Sequence, residues 1–263
     1  MYLPRFRQKR NGVPILRRED IDYIAEQYIR DFCPEVLTDP RPVDVDLFAQ
    51  DYLGLQQDFQ YLSNCGLYLG MMVFNDTGKV PVYDPERNRA EYVSEKAGTI
   101  VIDRTLLADE QERRYRFTMG HEVGHAVFHG SYYGYDPNQI SVFDFFPGVM
   151  DQPAMIQCRI DKQQQQSGKV HQVFDDHDWM EWHANNFASS FLMPASAVRY
   201  LVENSSTFFS RYQRFWGEWM IEKVALTFNT SWEASQIRLK QLGYVDLERM
   251  RYGIPMDRQM VMA

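Results

Sequence analysis

The chain has 263 residues, of which 44% are hydrophobic and 14% aromatic, and a formal net charge of −8. This is the composition of a globular protein long enough for one good core and a smaller appendage. It weighs against a broad basic surface for non-specific nucleic-acid binding, and no apolar run reaches the roughly 18 residues that span a bilayer.

Residues 1–16 carry Arg5, Arg7, Lys9 and Arg10 and have no apolar stretch of the secretory kind, so the chain is expected in the cytoplasm with this segment as a solvated, partly disordered basic arm. Cys33, Cys65 and Cys158 are odd in number and widely spaced, without a C-x-x-C pair, which fits a reducing compartment. Residues 17–30 place Ile21, Ile24, Ala25, Tyr28 and Ile29 on one helical stripe that closes before Pro34, and a second short helix is expected over 43–53. From Leu55 the period changes. LQQDFQYL predicts a strand, and GLYLGMMVF, a turn over 75–78 and KVPVY predict a hairpin, together an antiparallel sheet. GTIVID at 98–103 predicts a strand near the cleft, to which a peptide could add by main-chain pairing.

Residues 113–129 predict a helix, and residues 131–178 then break the pattern as an insertion. Its aromatic first part reads as a lid or recognition flap and Gln163 to Gln166 as a floppy tip, so removing residues 134–168 is expected to leave the fold standing. WMEWHANNFASSFLMP predicts a second buried helix over 179–194, ended by Pro194. Apolar residues at helical spacing continue over 208–228. A break at 229–231 with Ser231 as N-cap and a helix from Trp232 to Leu242 before Gly243 complete a helix-turn-helix-like pair, with only Arg238 and Lys240 as cations on its second helix. Packing is the preferred reading of that pair over DNA recognition. Three regions follow: an arm at 1–16, a main domain at 17–200 that contains the insertion, and a helical C-terminal subdomain at 201–263.

The most informative stretch is His121-Glu122-Val123-Gly124-His125. On a helix the two histidines lie about 40° apart around the axis and about 6 Å along it, so both rings can converge on one ion. Glu122 falls about 100° away from His121, where a carboxylate can take a proton from water polarised by that ion. Met119, Val123, Ala126, Val127 and Gly130 form an apolar or small opposite face.

A hydrolytic zinc site takes three protein ligands. His129 sits about 12 Å along the axis from His121, too far to share an ion, and is expected to interact with the carbonyl end of the helix, so that replacing it leaves metal affinity unchanged. His171, His177 and His183 sit in or near the insertion among Asp175, Asp176 and Asp178, an exposed acidic cluster of the kind that is ordinarily a solvated loop. Glu181 is the better third ligand, on one face with Asn185, Ala188 and Leu192, and Asn185 can hold a ligating histidine by its other ring nitrogen.

Phe117-Thr118 through His129, followed by Glu181 through Pro194, resembles the paired motifs F-T-x-x-H-E-x-G-H-x-x-x-H and E-x-x-A-[ND]-x-F-A-x-x-L-L-M-P of the ImmA/IrrE family of metallo-endopeptidases. VALTFNTSWEASQIRLKQLG is similar to the family's tail, so the likeness touches most of the chain outside the insertion. The resemblance implies an α+β, zincin-like metallopeptidase domain with a small antiparallel sheet and two metal-bearing helices. It implies His121, His125 and Glu181 as ligands of Zn2+, with Mn2+ as the alternative, and Glu122 as catalytic acid/base. The substrate it implies is a protein, a helix-turn-helix repressor. The rival reading is a DNA- or protein-binding regulator or toxin–antitoxin partner with a non-catalytic metal site, and a third is a broad-specificity peptidase. Two features depart from the family: the gap between His125 and Glu181 is long, and Phe191 stands where leucine is usual.

Overall fold

The computed structural model describes residues 1–134, 155–159, 175–205 and 216–246. The aromatic part of the insertion, its glutamine tip, His171, the start of the 208–228 helix and the tail after Asp246 lie outside the described residues. The fold is α+β, with helices and sheets segregated into layers.

Helix α1 (Arg18–Phe32) buries the predicted stripe of Ile21, Ile24, Ala25, Tyr28 and Ile29. Within the expected 43–53 segment lie a single helical turn, α2 (Val45–Leu47), capped by Asp44, and a π-turn at Phe48–Tyr52. Strands β1 (Gln56–Gln60), β2 (Tyr68–Val73), β3 (Thr77–Asp84), β4 (Arg89–Glu95) and β5 (Thr99–Asp103) follow, and helix α3 (Glu112–Phe128) runs into the short α4 (Gly130–Tyr133). Strand β6 (Met155–Arg159) precedes α5 (Asp176–Leu192), α6 (Ala195–Glu203), α7 (Trp216–Phe228) and α8 (Trp232–Gln241).

The sheet differs from expectation in three ways. It is mixed rather than antiparallel: in the order β1-β5-β2-β6, β1 runs parallel to β5 while β2 is antiparallel to both β5 and β6. The predicted hairpin of β2 with β3 does not form, because β3 pairs with β4 as a separate two-stranded sheet. Strand β5 is central and buried throughout, so both of its ladders are filled and no peptide can add to it. The two faces of the sheet sort by parity. Met72, Ile100 and Ile102 face the helices, whereas Met71, Val73 and Val101 face Val80 and Val82 of the β3–β4 ribbon.

Two further expectations are overturned. Residues 1–16 are packed, not solvated: Tyr2, Pro4 and Phe6 turn inward while Leu3, Arg5 and Arg7 turn out, and Val13 and Leu16 are buried. Tyr2 meets Tyr28 and Phe6 meets Phe128 edge-on, with ring centroids 5.0 and 5.6 Å apart. Arg5 and Arg7 occupy outward positions of an extended segment, so the charge count concealed an apolar inner row. The insertion also supplies an edge of the main sheet through β6, and helix α5 begins at Asp176, capped by Asp175 whose side chain accepts from Asp178 N. Asp176 and Asp178 are therefore first-turn acids that favour the helix N-terminus, not loop residues.

A second apolar cluster joins Met193 and α6 to α7 and α8 through Trp216, Met220, Val224, Phe228 and Leu239. The predicted break between α7 and α8 is present: Ser231 Oγ accepts from Ala234 N at 3.1 Å, and Gly243 takes φ +78° beyond the end of α8. Among the described residues no helix is long and apolar enough to cross a membrane.

Candidate metal centre

The centre sits where α3 crosses α5. Both helices are buried on nearly every side there, and small residues let their axes approach: a Cβ on Gly124 would lie 3.0 Å from Ala184 Cα and 3.1 Å from Phe187 Cβ. On the other side of α3, strand β2 presses Gly70 against Glu122, where an added Cβ would come within 2.6 Å of Oε1. The glycine inside the strand pattern GLYLGMMVF is the signal in the sequence of such a close approach.

His121, His125 and Glu181, all buried, each offer a ligand atom within 4.8 Å of the others. The two Nε2 atoms are 2.9 Å apart, and the Glu181 carboxylate oxygens lie 3.5 Å from His121 Nε2 and 3.6 Å from His125 Nε2. Separations near 3 Å are those of ligands that share one ion at about 2.0–2.2 Å. Among the described residues neither oxygen of Glu181 and neither oxygen of Glu122 has a hydrogen-bond partner. Four unpartnered, buried carboxylate oxygens cost several kcal/mol unless something cationic meets them, so the donor set fits a divalent metal.

Burial works against ionisation of Glu181, but the rings of His121 and His125 outweigh it and hold the carboxyl well below its usual range. Burial pulls His125 down to about 4, with Glu181 working against that shift, so the ring is neutral and keeps a lone pair to give. Burial pushes Glu122 up to about 8, offset by His121 and reinforced by Glu181. A cation at the triad would draw that value down.

Asn185 stands one turn after Glu181, and its Oδ1 lies 3.0 Å from His121 Nδ1. His129 departs from its predicted role. It is fully buried and turns to other imidazoles, with Nδ1 2.8 Å from His125 Nδ1 and Nε2 3.4 Å from His183 Nδ1, rather than to the helix carbonyls. His183, within the helix predicted over 179–194, is buried on α5 and lies nearly parallel to the His129 ring at 5.7 Å. Burial lowers His129 well below the usual histidine range and His183 to about 4, and the neighbouring His125 adds to both shifts. The i, i+4 spacing of His125 and His129 is visible in the sequence. The cross-helix contact with His183 requires knowing how α5 docks.

Comparison of the chain with protein-family models and with curated proteins finds no match to either.

Proposed function

We propose that the chain is a zinc-dependent endopeptidase with a zincin-like fold, of the ImmA/IrrE type, that makes a limited cut in a cytoplasmic helix-turn-helix repressor. The observation that carries this reading is the buried His121, His125 and Glu181 group with a further unpartnered carboxyl group, Glu122, beside it. A structural zinc site closes with four protein ligands and has no use for an extra buried glutamate, whereas a hydrolytic site takes three and keeps one position open. When bound, a divalent ion supplies Lewis-acid polarisation of a carbonyl and of water. Two imidazoles and a carboxylate suit Zn2+ and also admit Mn2+.

The chain's own residues do the rest. Glu122 takes the proton of the attacking water and returns it to the leaving amine. Asn185 accepts from His121 Nδ1 and so keeps Nε2 turned to the centre. Gly70 keeps β2 against Glu122 and fixes where its carboxylate sits. Among the described residues the outer strands of the sheet are β1 and β6, and an extended peptide would add at one of these rather than at β5. The rival reading, a regulator that reads DNA through α7 and α8, needs cations on α8. Arg238 is turned inward, with Nε donating to Met193 O at 3.0 Å and Nη1 2.7 Å from Asp22 Oδ1, which leaves Lys240 as the exposed cation of that helix.

The test is incubation of the chain with a small helix-turn-helix repressor encoded by a neighbouring gene, with Zn2+, with a chelator, and with the Glu122→Gln variant. One discrete pair of fragments is expected with Zn2+ alone, while Glu122→Gln holds about one equivalent of zinc and cuts nothing. Cleavage by that variant at the wild-type rate would remove Glu122 from the mechanism. An intact repressor beside zinc-loaded wild-type chain would overturn the substrate, and failure to cut any unfolded protein would overturn the peptidase reading.

A further inference from the structure

We propose that His129 and His183 are positioning residues that fix the tautomer of His125 through a directed chain of imidazole hydrogen bonds, an inference that rests on the metal reading above. His125 turns Nε2 toward His121 and Glu181, and its other nitrogen, Nδ1, lies 2.8 Å from His129 Nδ1. His129 Nε2 in turn lies 3.4 Å from His183 Nδ1. His125 and His129 are fully buried and His183 is 1% exposed, an environment that favours the neutral ring.

A neutral imidazole has one N–H and one lone pair. Ligation by His125 needs the lone pair on Nε2, so its proton sits on Nδ1 and is donated to His129 Nδ1. His129 must then carry its own proton on Nε2, directed at the lone pair of His183 Nδ1. One choice at the ligand therefore sets all three rings. The opposite choice would aim an N–H at Glu181 and withdraw His125 as a ligand.

The two ligating histidines are thus held by different chemistry. An amide oxygen from α5 receives the outer N–H of His121, while His125 donates to a ring nitrogen from its own helix. Imidazole nitrogen is a stronger base than an amide oxygen, so His125 becomes the more electron-rich donor of the pair. Both nitrogens of His129 are engaged with other rings, which is how a buried histidine one turn beyond the motif stays out of the coordination shell.

The first measurement uses the full-length wild-type chain, labelled with 15N-histidine and loaded with Zn2+, and reads the tautomers from long-range proton–nitrogen correlations. Protons are expected on His125 Nδ1 and His129 Nε2, with His129 Nδ1 bare. A proton on His129 Nδ1 would overturn the chain. The second compares His129→Leu with His129→Gln, whose amide oxygen can accept in place of Nδ1. Zinc affinity by chelator competition should fall about 10–100-fold in the leucine variant and recover most of that loss in the glutamine variant. Equal affinity in the two variants would leave His129 a packing residue and defeat the inference. Failure of the wild-type chain to bind zinc would bring down the metal reading itself, whereas bound zinc with reversed tautomers would bring down only this proposal.

Discussion

Near the α3–α5 crossing, the buried carboxylates of Glu181 and Glu122 have no hydrogen-bond partner among the described residues. Glu181 has its oxygens 3.5 and 3.6 Å from two imidazole nitrogens, too long for good hydrogen bonds and suited to an ion in between. Glu181→Ala should therefore lower zinc affinity by several orders of magnitude, since two histidines then hold the ion with water completing its shell. Metal content after dialysis against a weak chelator measures this, and full retention would remove Glu181 from the site. Gly70 makes a separate prediction. Its alanine variant places a methyl group 2.6 Å from Glu122 Oε1 and 2.9 Å from Thr118 Cγ2, so the Glu122 side chain must move. A displacement near 1 Å can cost about 100-fold in rate. Gly70→Ala should keep zinc and lose cleavage on that scale, with about 1–3 kcal/mol of lost stability from overpacking. Cleavage at the wild-type rate would show that β2 does not hold Glu122 in place.

Among the elements, the two glycines of α3 separate helix propensity from packing. A Cβ on Gly120 meets Ala188 at 3.4 Å, an ordinary contact, while one on Gly124 meets the Ala184 backbone at 3.0 Å, which cannot yield without moving α5. Gly120→Ala should stabilise the chain by up to about 1 kcal/mol, the helical advantage of alanine over glycine. Gly124→Ala gains the same advantage but meets an overpacking cost of about 1–3 kcal/mol, so net destabilisation is expected. Denaturant midpoints of the two variants decide it, and a shift of the same sign in both would contradict the close crossing. The insertion gives the second prediction at this scale. Removing residues 134–168 takes away β6 and bares the ladder of β2, so loss of stability is expected instead of a standing fold. A deletion variant with the wild-type melting temperature would show β6 to be dispensable.

At the scale of the whole molecule, the buried histidines make the metal-free chain acid-sensitive. His125 and His183 are held near pKa 4, and His129 well below its usual range, whereas in the unfolded chain each takes up a proton near 6.5. A depressed folded value means that this contribution to stability is complete above pH 6.5 and is lost as pH falls toward 4, at up to about 1.4 kcal/mol per pH unit for each group. Glu122 has the opposite sign: its folded value near 8 lies above the unfolded 4.5, so its contribution is lost as pH rises between them. Three histidines against one glutamate leave a net loss on acidification. The melting temperature of chelator-treated chain should fall steadily from pH 6.5 to 4, less steeply in His183→Gln, and a flat profile would contradict the neutral cluster.

The sequence by itself determined the helical stripe of α1, the capped break between α7 and α8, and the placement of His121, His125, Glu181 and Asn185 on two buried helices. All of these are periodicities or caps written within a few turns of chain, where 3.6 residues per turn fixes which side chains share a face. Tertiary structure alone decided the rest. Which strand pairs with β2 depends on edges that meet across tens of residues, so a local turn signal at 75–78 mispaired it with β3. The basic arm looked solvated because Arg5, Arg7, Lys9 and Arg10 dominate its charge, whereas which of its apolar residues dock is set by the rings of α1 and α3 that they meet. His129 and His183 acquired their roles only when α5 came to lie across α3, because a ring's partner on another helix is a property of docking, which neither helix specifies alone.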